Sequence, residues 1–219
     1  MKTGTVKTGT VKTGTVKSGA VKPVAVVASI AVAISLALAG CASNDSLATQ
    51  YSSSDSTGNY VSPDGATKTI AAADRGGAVS FSGTTDAGGK VSSADYAGKV
   101  IVLNFWYASC PPCRLEAADL EKLNQKYSSE GVVFLGVNVE DTAPTALSFE
   151  KSHGVSYPSI LDADEGAVRL AFHGKISPNA VPTTLIIDEK GRVAARFSGL
   201  ITSPSLVGTV IEATMAEGS

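Results

Sequence analysis

Two cysteines separated by two prolines, Cys110-Pro111-Pro112-Cys113, stand between a buried strand and the start of a helix, and no other feature restricts the fold as strongly. The near-continuous apolar run 99–105 predicts a strand that is covered on both faces. A helix is predicted over 111–127, because a proline fits its first turn and apolar residues recur at helical spacing. Those residues are Leu115, Ala118, Leu120 and Leu123. A buried strand that leads into a helix is typical of an α/β fold.

The sequence from residue 78 to 219 alternates strand and helix patterns and is long enough for one domain. Besides 99–105 and 111–127, strands are predicted at 79–81, 90–93, 131–139, 183–188 and 192–197, and helices at 144–152, 165–172 and 205–215. This order predicts an α/β fold in which helices flank a mixed central sheet. The first two short strands, around a turn at 86–89, predict an N-terminal β-hairpin.

Residues 1–40 are typical of an export signal, because a basic segment precedes an uncharged apolar run. Repeats of Lys-Thr-Gly-Thr-Val place five lysines and no acidic residue in the first 22 positions, and the apolar run covers 23–39. That run is short for a membrane span, which needs about 20 residues. Residues 41–77 are rich in small polar residues and keep no regular period, so they predict a flexible tether.

Charge and cysteine content exclude two classes of protein. Five of the 18 basic residues lie in the first 22 positions. The rest of the chain therefore carries 13 basic and all 20 acidic side chains, which gives it a net charge of −7. An acidic body argues against a nucleic-acid partner, because phosphate binding depends on clustered Lys and Arg. Three cysteines in 219 residues are too few for a small disulfide-stabilised scaffold.

Cys110 and Cys113 are predicted to be reactive because of their position at a helix start. A thiol there faces unpaired backbone N–H groups and the positive end of the helix dipole, which favour the thiolate that attacks disulfides. An inert structural disulfide is an alternative, although so short a loop gains little stability from it. A zinc site is a second alternative. However, the only histidines of the sequence, His153 and His173, are 20 residues apart, whereas zinc-binding folds favour a spacing of 3–5 residues between paired histidine ligands.

The segment Asn104-Phe105-Trp106, followed after three residues by Cys110-Pro111-Pro112-Cys113-Arg114, resembles the active site of the thioredoxin superfamily. It is most similar to the membrane-tethered thiol–disulfide oxidoreductases of the TlpA/ResA type. The similarity extends over about 78–216 and includes the segments 95–99, 137–139, 154–158 and 181–184. It implies a thioredoxin-like fold for residues 78–219.

The resemblance assigns roles to the residues of the site. It implies that Cys110 is the exposed nucleophile and Cys113 the buried resolving thiol. The Val181–Pro182 bond is expected to be cis and to face the sulfur atoms, with the backbone of Val181 turned towards an extended substrate chain. Trp106 is expected in the core, with an edge that shapes the substrate groove beside Cys110.

A base for the resolving cysteine is expected on a different strand from the one that thioredoxin uses. Asn104 occupies the position of the buried aspartate of thioredoxin, and a neutral side chain cannot take a proton from Cys113. The TlpA/ResA branch has an acid after the second core strand instead. Asp141, or its neighbour Glu140, matches that place, although a solvent-exposed turn acid or a helix cap is an equal alternative.

The end of the apolar run, Leu38-Ala39-Gly40-Cys41, resembles a bacterial lipobox. This resemblance implies cleavage before Cys41 and attachment of a lipid to its thiol. The alternative is a transmembrane anchor that ends at Cys41. Either interpretation places the domain on the outer face of the cytoplasmic membrane.

The resemblance implies an enzyme that reduces disulfides of exported proteins with electrons from a membrane donor. Cytochrome c maturation is the commonest task of such enzymes, and their chemistry needs neither a metal nor an organic cofactor. A disulfide oxidase or a thiol peroxidase of the same fold is an alternative, but peroxidases carry a threonine where this chain has Tyr107. A non-catalytic binding module or metallochaperone is a further alternative.

Overall fold

The computed structural model describes residues 46–53, 59–174 and 180–218. The described strands are β1 Tyr60–Val61, β2 Thr67–Thr69, β3 Ser82–Thr84, β4 Lys90–Ser92, β5 Ile101–Trp106, β6 Val133–Asn138, β7 Ser159–Leu161, β8 Thr183–Ile187 and β9 Val193–Ser198. The described α-helices are α1 Ser46–Ser53, α2 Pro111–Tyr127, α3 Ala143–His153, α4 Ala167–Ala171 and α5 Pro204–Ala216. Short 3-10 helices follow β4 and α2, at Ser93–Tyr96 and Ser128–Glu130.

Seven strands form one mixed sheet in the order β1-β2-β9-β8-β5-β6-β7. β5, β6 and β7 run parallel, and the pairs from β1 to β5 along that order are antiparallel. β3 and β4 form a separate antiparallel hairpin. Helices pack on both faces of the sheet, so the predicted α/β fold with a mixed central sheet and a hairpin is confirmed.

Successive residues of β5 belong to different faces of the sheet. On one face, Val102 joins an apolar cluster with side chains of α2 and α5. On the other face, Leu103 joins a cluster with side chains of α4 and the hairpin segment. β5 is buried along its whole length, as the near-continuous apolar run predicts.

The buried face of α2 differs from the predicted one. The helix has the predicted bounds, but Leu115 is 68 % exposed and Ala118 is exposed as well. The residues that face the core are Cys113, Glu116, Ala117, Leu120, Glu121, Leu123 and Tyr127. This face therefore includes two carboxylates, which a search for apolar residues overlooks.

The predicted tether is wrong for the described residues between 46 and 77. α1 packs against the α2–α5 side of the core through Leu47, Ala48 and Tyr51. β2 pairs with β9, and β1 pairs with β2, so this segment extends the main sheet. The short strand β7 was not predicted either, and the first hairpin strand lies at Ser82–Thr84 instead of 79–81.

Residues 1–40 and Cys41 lie outside the described residues. None of the described helices is both long enough and apolar enough to cross a membrane.

Candidate active site

Cys110 and Cys113 form a disulfide at the junction of β5 and α2, with an S–S distance of 2.05 Å. Cys110 is the N-cap of α2, and prolines occupy the first two positions of the helix. The backbone N–H of Cys113 donates a hydrogen bond to Sγ of Cys110, with an N–S distance of 3.2 Å. In the reduced protein this donor and the helix dipole favour a thiolate at Cys110.

Both cysteines are buried in this disulfide-bonded state. Cys110 is 1 % exposed and Cys113 is 3 % exposed, so the expectation of an exposed Cys110 is wrong for the oxidised form. The two cysteines belong to one apolar cluster with Trp106, Ala117, Ala146 and Phe149. Ser109 and Pro111, the immediate neighbours of Cys110, are exposed and form the rim beside the disulfide.

The Val181–Pro182 peptide bond is cis, as expected. Val181 is partly buried and packs against the apolar cluster that contains both cysteines. The carbonyl of Pro182 accepts a hydrogen bond from the N–H of Gly199, at 2.8 Å. No hydrogen bond from a described residue occupies the backbone of Val181, which leaves it able to pair with an added strand.

A narrow cavity lies beside Cys113 inside the domain. It is lined by Asn104, Trp106, Cys113, Ala117, Phe149, Val155 and Tyr157. Most of these side chains are apolar, and the lining also includes the polar residues Asn104 and Tyr157. Asn104 and Cys113 therefore border the same cavity.

Glu116 is the functional candidate that the sequence analysis missed. It lies three residues after Cys113 on α2 and is 1 % exposed. Its Oε1 accepts a hydrogen bond from Nδ2 of Asn104 at 2.9 Å, and its Oε2 accepts one from the N–H of Ile201 at 3.1 Å. Burial raises the pKa of Glu116 to about 7, and the two hydrogen bonds oppose the rise. Its helical spacing from Cys113 is the signal that could have found it.

Asp141 holds the loop that leads to Cys110. Its Oδ2 accepts hydrogen bonds from the N–H of Ala108 at 2.6 Å and from Nδ2 of Asn138 at 2.8 Å. The carboxylate does not line the cavity beside Cys113. Glu140, the alternative, is exposed to solvent. Glu116 is therefore connected through Asn104 to the cavity beside Cys113. Asp141 is connected to the loop between β5 and Cys110.

Trp106 forms one wall of the cavity and is itself buried. Its Nε1–H donates a hydrogen bond to Oγ of Ser159 at 3.0 Å. Its ring lies against Phe149, with the ring centroids 4.5 Å apart. Trp106 therefore lines the cavity beside Cys113 from within the core. The exposed rim beside Cys110 is formed by Ser109 and Pro111.

The described residues contain no group of three or more His, Cys, Asp or Glu side chains arranged to hold a metal ion. His153 ends α3, and its Nδ1 interacts with the carbonyl of Phe149 at 3.1 Å. His153 therefore belongs to the last turn of α3 and contacts the backbone of that turn.

The Redoxin family profile matches residues 41–210. This chain belongs to the Redoxin family. It is 33 % identical over 115 residues to the thiol-disulfide oxidoreductase ResA of Bacillus subtilis (strain 168), a match that covers 52 % of this chain and 62 % of ResA. The matched region is thus less than two thirds of the length of that relative.

Solved structures show the same fold. A thiol:disulfide interchange protein of the thioredoxin family from Chlorobium tepidum TLS is 32 % identical with a TM-score of 0.59, and the match covers 66 % of this chain and 99 % of that one. A secreted thiol-disulfide isomerase from Corynebacterium glutamicum is 30 % identical with a TM-score of 0.61, over 70 % of this chain and 95 % of the other. The thioredoxin-like fold expected from the sequence is confirmed.

Proposed function

We propose that this Redoxin-family protein is a thiol–disulfide oxidoreductase that reduces disulfides in other proteins. The observation that carries the proposal is the Cys110–Cys113 disulfide at the start of α2, where the N–H of Cys113 donates to the sulfur of Cys110. A cysteine in this position has a stabilised thiolate, which is the attacking form. The names of the Bacillus subtilis relative and of the two bacterial structures describe the same type of chemistry.

In the proposed reaction, the Cys110 thiolate attacks one sulfur of a substrate disulfide. The substrate S–S bond breaks, one substrate sulfur leaves as a thiolate, and Cys110 forms a mixed disulfide with the other. The Cys113 thiolate then attacks Sγ of Cys110, releases the second substrate thiolate and leaves the Cys110–Cys113 disulfide. Two electrons pass to the substrate, so a dithiol donor must reduce the enzyme before the next cycle.

Glu116 is the proposed proton acceptor for Cys113 in the second step. A pKa of about 7 lets its carboxyl group exchange a proton near neutral pH. Asn104 hydrogen-bonds Glu116 and also lines the cavity that Cys113 lines, which supports a path between the two. Asp141 has the proposed role of holding the Cys110 loop in place, because its carboxylate accepts the N–H of Ala108.

Substrate binding is proposed at the rim formed by Ser109 and Pro111 and at the backbone of Val181. An extended substrate segment that pairs with Val181 brings its disulfide over Cys110, since Val181 packs on the cluster that contains both cysteines. Trp106 shapes the inner wall of the same site.

Location and pathway are also proposals. The basic and apolar pattern of residues 1–40 and the lipobox-like end at Cys41 support export and a lipid anchor on the outer face of the cytoplasmic membrane. In this setting the substrates are disulfide-containing exported proteins, with cytochrome c maturation as one such task, and a membrane protein supplies the electrons.

Reduction of insulin by the dithiothreitol-charged protein tests the proposed activity. The wild type is expected to accelerate precipitation of the insulin B chain, and Cys110→Ser is expected to lose that acceleration. Cys41→Ser is the matched control, because it removes the cysteine outside the domain and should leave the rate unchanged. Equal rates for the wild type and Cys110→Ser would contradict the proposal.

A further inference from the structure

Two carboxyl groups outside the cysteine site are buried together without a cation. Asp86, in the turn of the hairpin, is 6 % exposed, and Glu150, on α3, is 7 % exposed. Their side chains lie within hydrogen-bonding reach of each other. Among the described residues, no Lys, Arg or His forms an ion pair with either of them.

Ser159 connects this acid pair to Trp106. The N–H of Asp86 donates to the carbonyl of Ser159 at 2.9 Å, and Oγ of Ser159 donates to Oε1 of Glu150 at 2.7 Å. Nε1 of Trp106 in turn donates to Oγ of Ser159 at 3.0 Å. The chain of contacts thus leads from the hairpin, through β7 and α3, to the wall of the cavity beside Cys113.

One oxygen of the pair needs a donor that the described side chains do not supply. Oδ1 of Asp86 accepts the N–H of Ala87 at 2.8 Å, whereas Oδ2 is buried without a hydrogen-bond partner. Two adjacent buried carboxylates without a cation repel each other and lose their hydration. A proton on Glu150 removes one of the charges and gives Oδ2 of Asp86 its donor. Burial first, and then the neighbouring Asp86, raise the pKa of Glu150 to about 8.

We propose that Asp86 and Glu150 share one proton and act as positioning residues for the redox site by fixing Trp106 through Ser159. Phe149, the residue before Glu150, lies against the Trp106 ring, so the same short segment of α3 holds the indole from two sides. Loss of the shared proton leaves two negative charges in contact. The resulting repulsion separates the hairpin from α3 and weakens the bond from Trp106 to Ser159.

The other titratable groups around the pair do not supply a counter-charge. On α3, Lys151 is exposed and the ring of His153 is bonded to the carbonyl of Phe149. After β7, Asp162 is paired with Arg169, and on the hairpin Lys90 is exposed. Tyr157, beside the cavity, has its pKa raised by burial and by the charges of Glu116, Glu121 and Glu150. The shared proton is therefore the group that neutralises the pair.

Trp106 is the only tryptophan of the chain, so its fluorescence reports this contact directly. The oxidised full-length protein is titrated from about pH 6 to about pH 9, where no free Cys110 or Cys113 thiol contributes. The wild type is expected to show a shift of Trp106 emission with a midpoint near pH 8. Glu150→Gln should lose this shift, because the titrating carboxyl group is gone. Asp86→Asn should move its midpoint to lower pH, because the Asn amide donates to the Glu150 carboxylate while Glu150 stays buried. Asp164→Asn, which neutralises an exposed acid, should keep it.

A flat wild-type titration would overturn the inference, as would an unchanged midpoint in both amide variants. The wild-type measurement needs no variant, so the test survives if either substitution impairs folding.

The redox part of the inference rests on the proposed function and has its own measurement. Above the midpoint, the Cys110–Cys113 reduction potential of both amide variants should depart from that of the wild type in the same direction. Insulin reduction that persists in Cys110→Ser would refute the proposed function and leave the emission result intact.

Discussion

Glu116 is a buried carboxyl group that is connected to the cavity beside Cys113 through Asn104. It follows Cys113 by one helical turn, and its carboxylate accepts hydrogen bonds from Asn104 and Ile201. These two donors favour the ionised form, but burial outweighs them and raises the pKa to about 7. Glu116 is therefore both a source of pH-dependent stability and a proton acceptor matched to neutral pH.

Glu116→Gln should remove a specific part of the pH dependence of stability. Because the pKa of Glu116 is raised, the folded state holds a proton that the unfolded state loses, and stability falls as pH rises from about 4.5 to about 7. Over this window the free energy of unfolding of the wild type should fall by about 3 kcal/mol relative to that of the variant. Urea unfolding at a series of pH values measures the difference.

Glu130→Gln is the matched control, because Glu130 is exposed in the turn after α2. The free energy of unfolding of Glu130→Gln should have the same pH dependence as that of the wild type. A constant difference between the wild type and Glu116→Gln would show that the carboxyl group has an ordinary pKa.

Asp141→Asn distinguishes a structural role from a role as a base. The change removes the charge that binds the N–H of Ala108 and the amide of Asn138, and we expect a loss of about 1–2 kcal/mol in the free energy of unfolding. The pH profile of Cys113 alkylation should stay as in the wild type, whereas Glu116→Gln should shift it. Asp119→Asn, which changes a partly exposed helix acid beside Lys122, should change neither quantity. A shifted profile in Asp141→Asn alone would restore Asp141 as the base.

At the scale of the elements, Gly136 lets β6 pass close to β7 and β5. A Cβ atom there would overlap Oγ of Ser159 and lie 2.7 Å from Nε1 of Trp106. Its φ lies outside the left-handed region, so a glycine is needed at this position for space and not for backbone conformation. The contact between Trp106 and Ser159 depends on this gap.

Gly136→Ala should therefore break the Trp106–Ser159 hydrogen bond and destabilise the fold. Overpacking of this kind costs about 1–3 kcal/mol, which urea unfolding measures. Gly77→Ala is the control, since a Cβ at Gly77 meets no atom within 4 Å and needs no unusual backbone angle. Equal stability of the two variants would show that β6 and β7 can separate at little cost.

The sequence predicted the elements whose pattern is long and whose ends carry a local signal. α2 has a proline start and a regular apolar period, and its predicted bounds agree with the structure. β1, β2 and β7 have only two or three residues each, too few to show a period, and depend on pairing with distant strands. Glu116 was missed because a single carboxylate on a helix normally faces solvent. In the structure it is buried and accepts hydrogen bonds from Asn104 and Ile201, which lie 12 and 85 residues away in the sequence.

At the scale of the whole molecule, the segment before the hairpin closes one edge of the sheet and connects to the chain end. β2 covers the edge of β9. Arg75, whose side chain is buried, forms ion pairs with Asp188 in the turn between β8 and β9 and with Glu217 after α5. The predicted domain start at residue 78 omits all of these contacts, since none of them leaves a hydrophobic period in the sequence.

A chain of residues 78–219 should therefore be less stable than one of residues 42–219. Loss of Arg75 leaves Asp188 with one buried ion pair fewer, and loss of β2 exposes the edge of β9. The expected fall in melting temperature is roughly 10 °C. A chain of residues 59–219 keeps β1, β2 and Arg75 and lacks α1, so it separates the two contributions. Equal melting temperatures for 42–219 and 78–219 would support a domain boundary at residue 78.

Capture of a mixed disulfide tests the central claim most directly. Reduced Cys113→Ser and reduced Cys110→Ser are each mixed with oxidised insulin, quenched with acid and analysed by mass spectrometry. Cys113→Ser should accumulate a covalent adduct through Cys110, because the resolving thiol is missing, and Cys110→Ser should form little or none. Equal adduct formation by the two variants, or adducts through Cys113 alone, would contradict the assignment of Cys110 as the nucleophile.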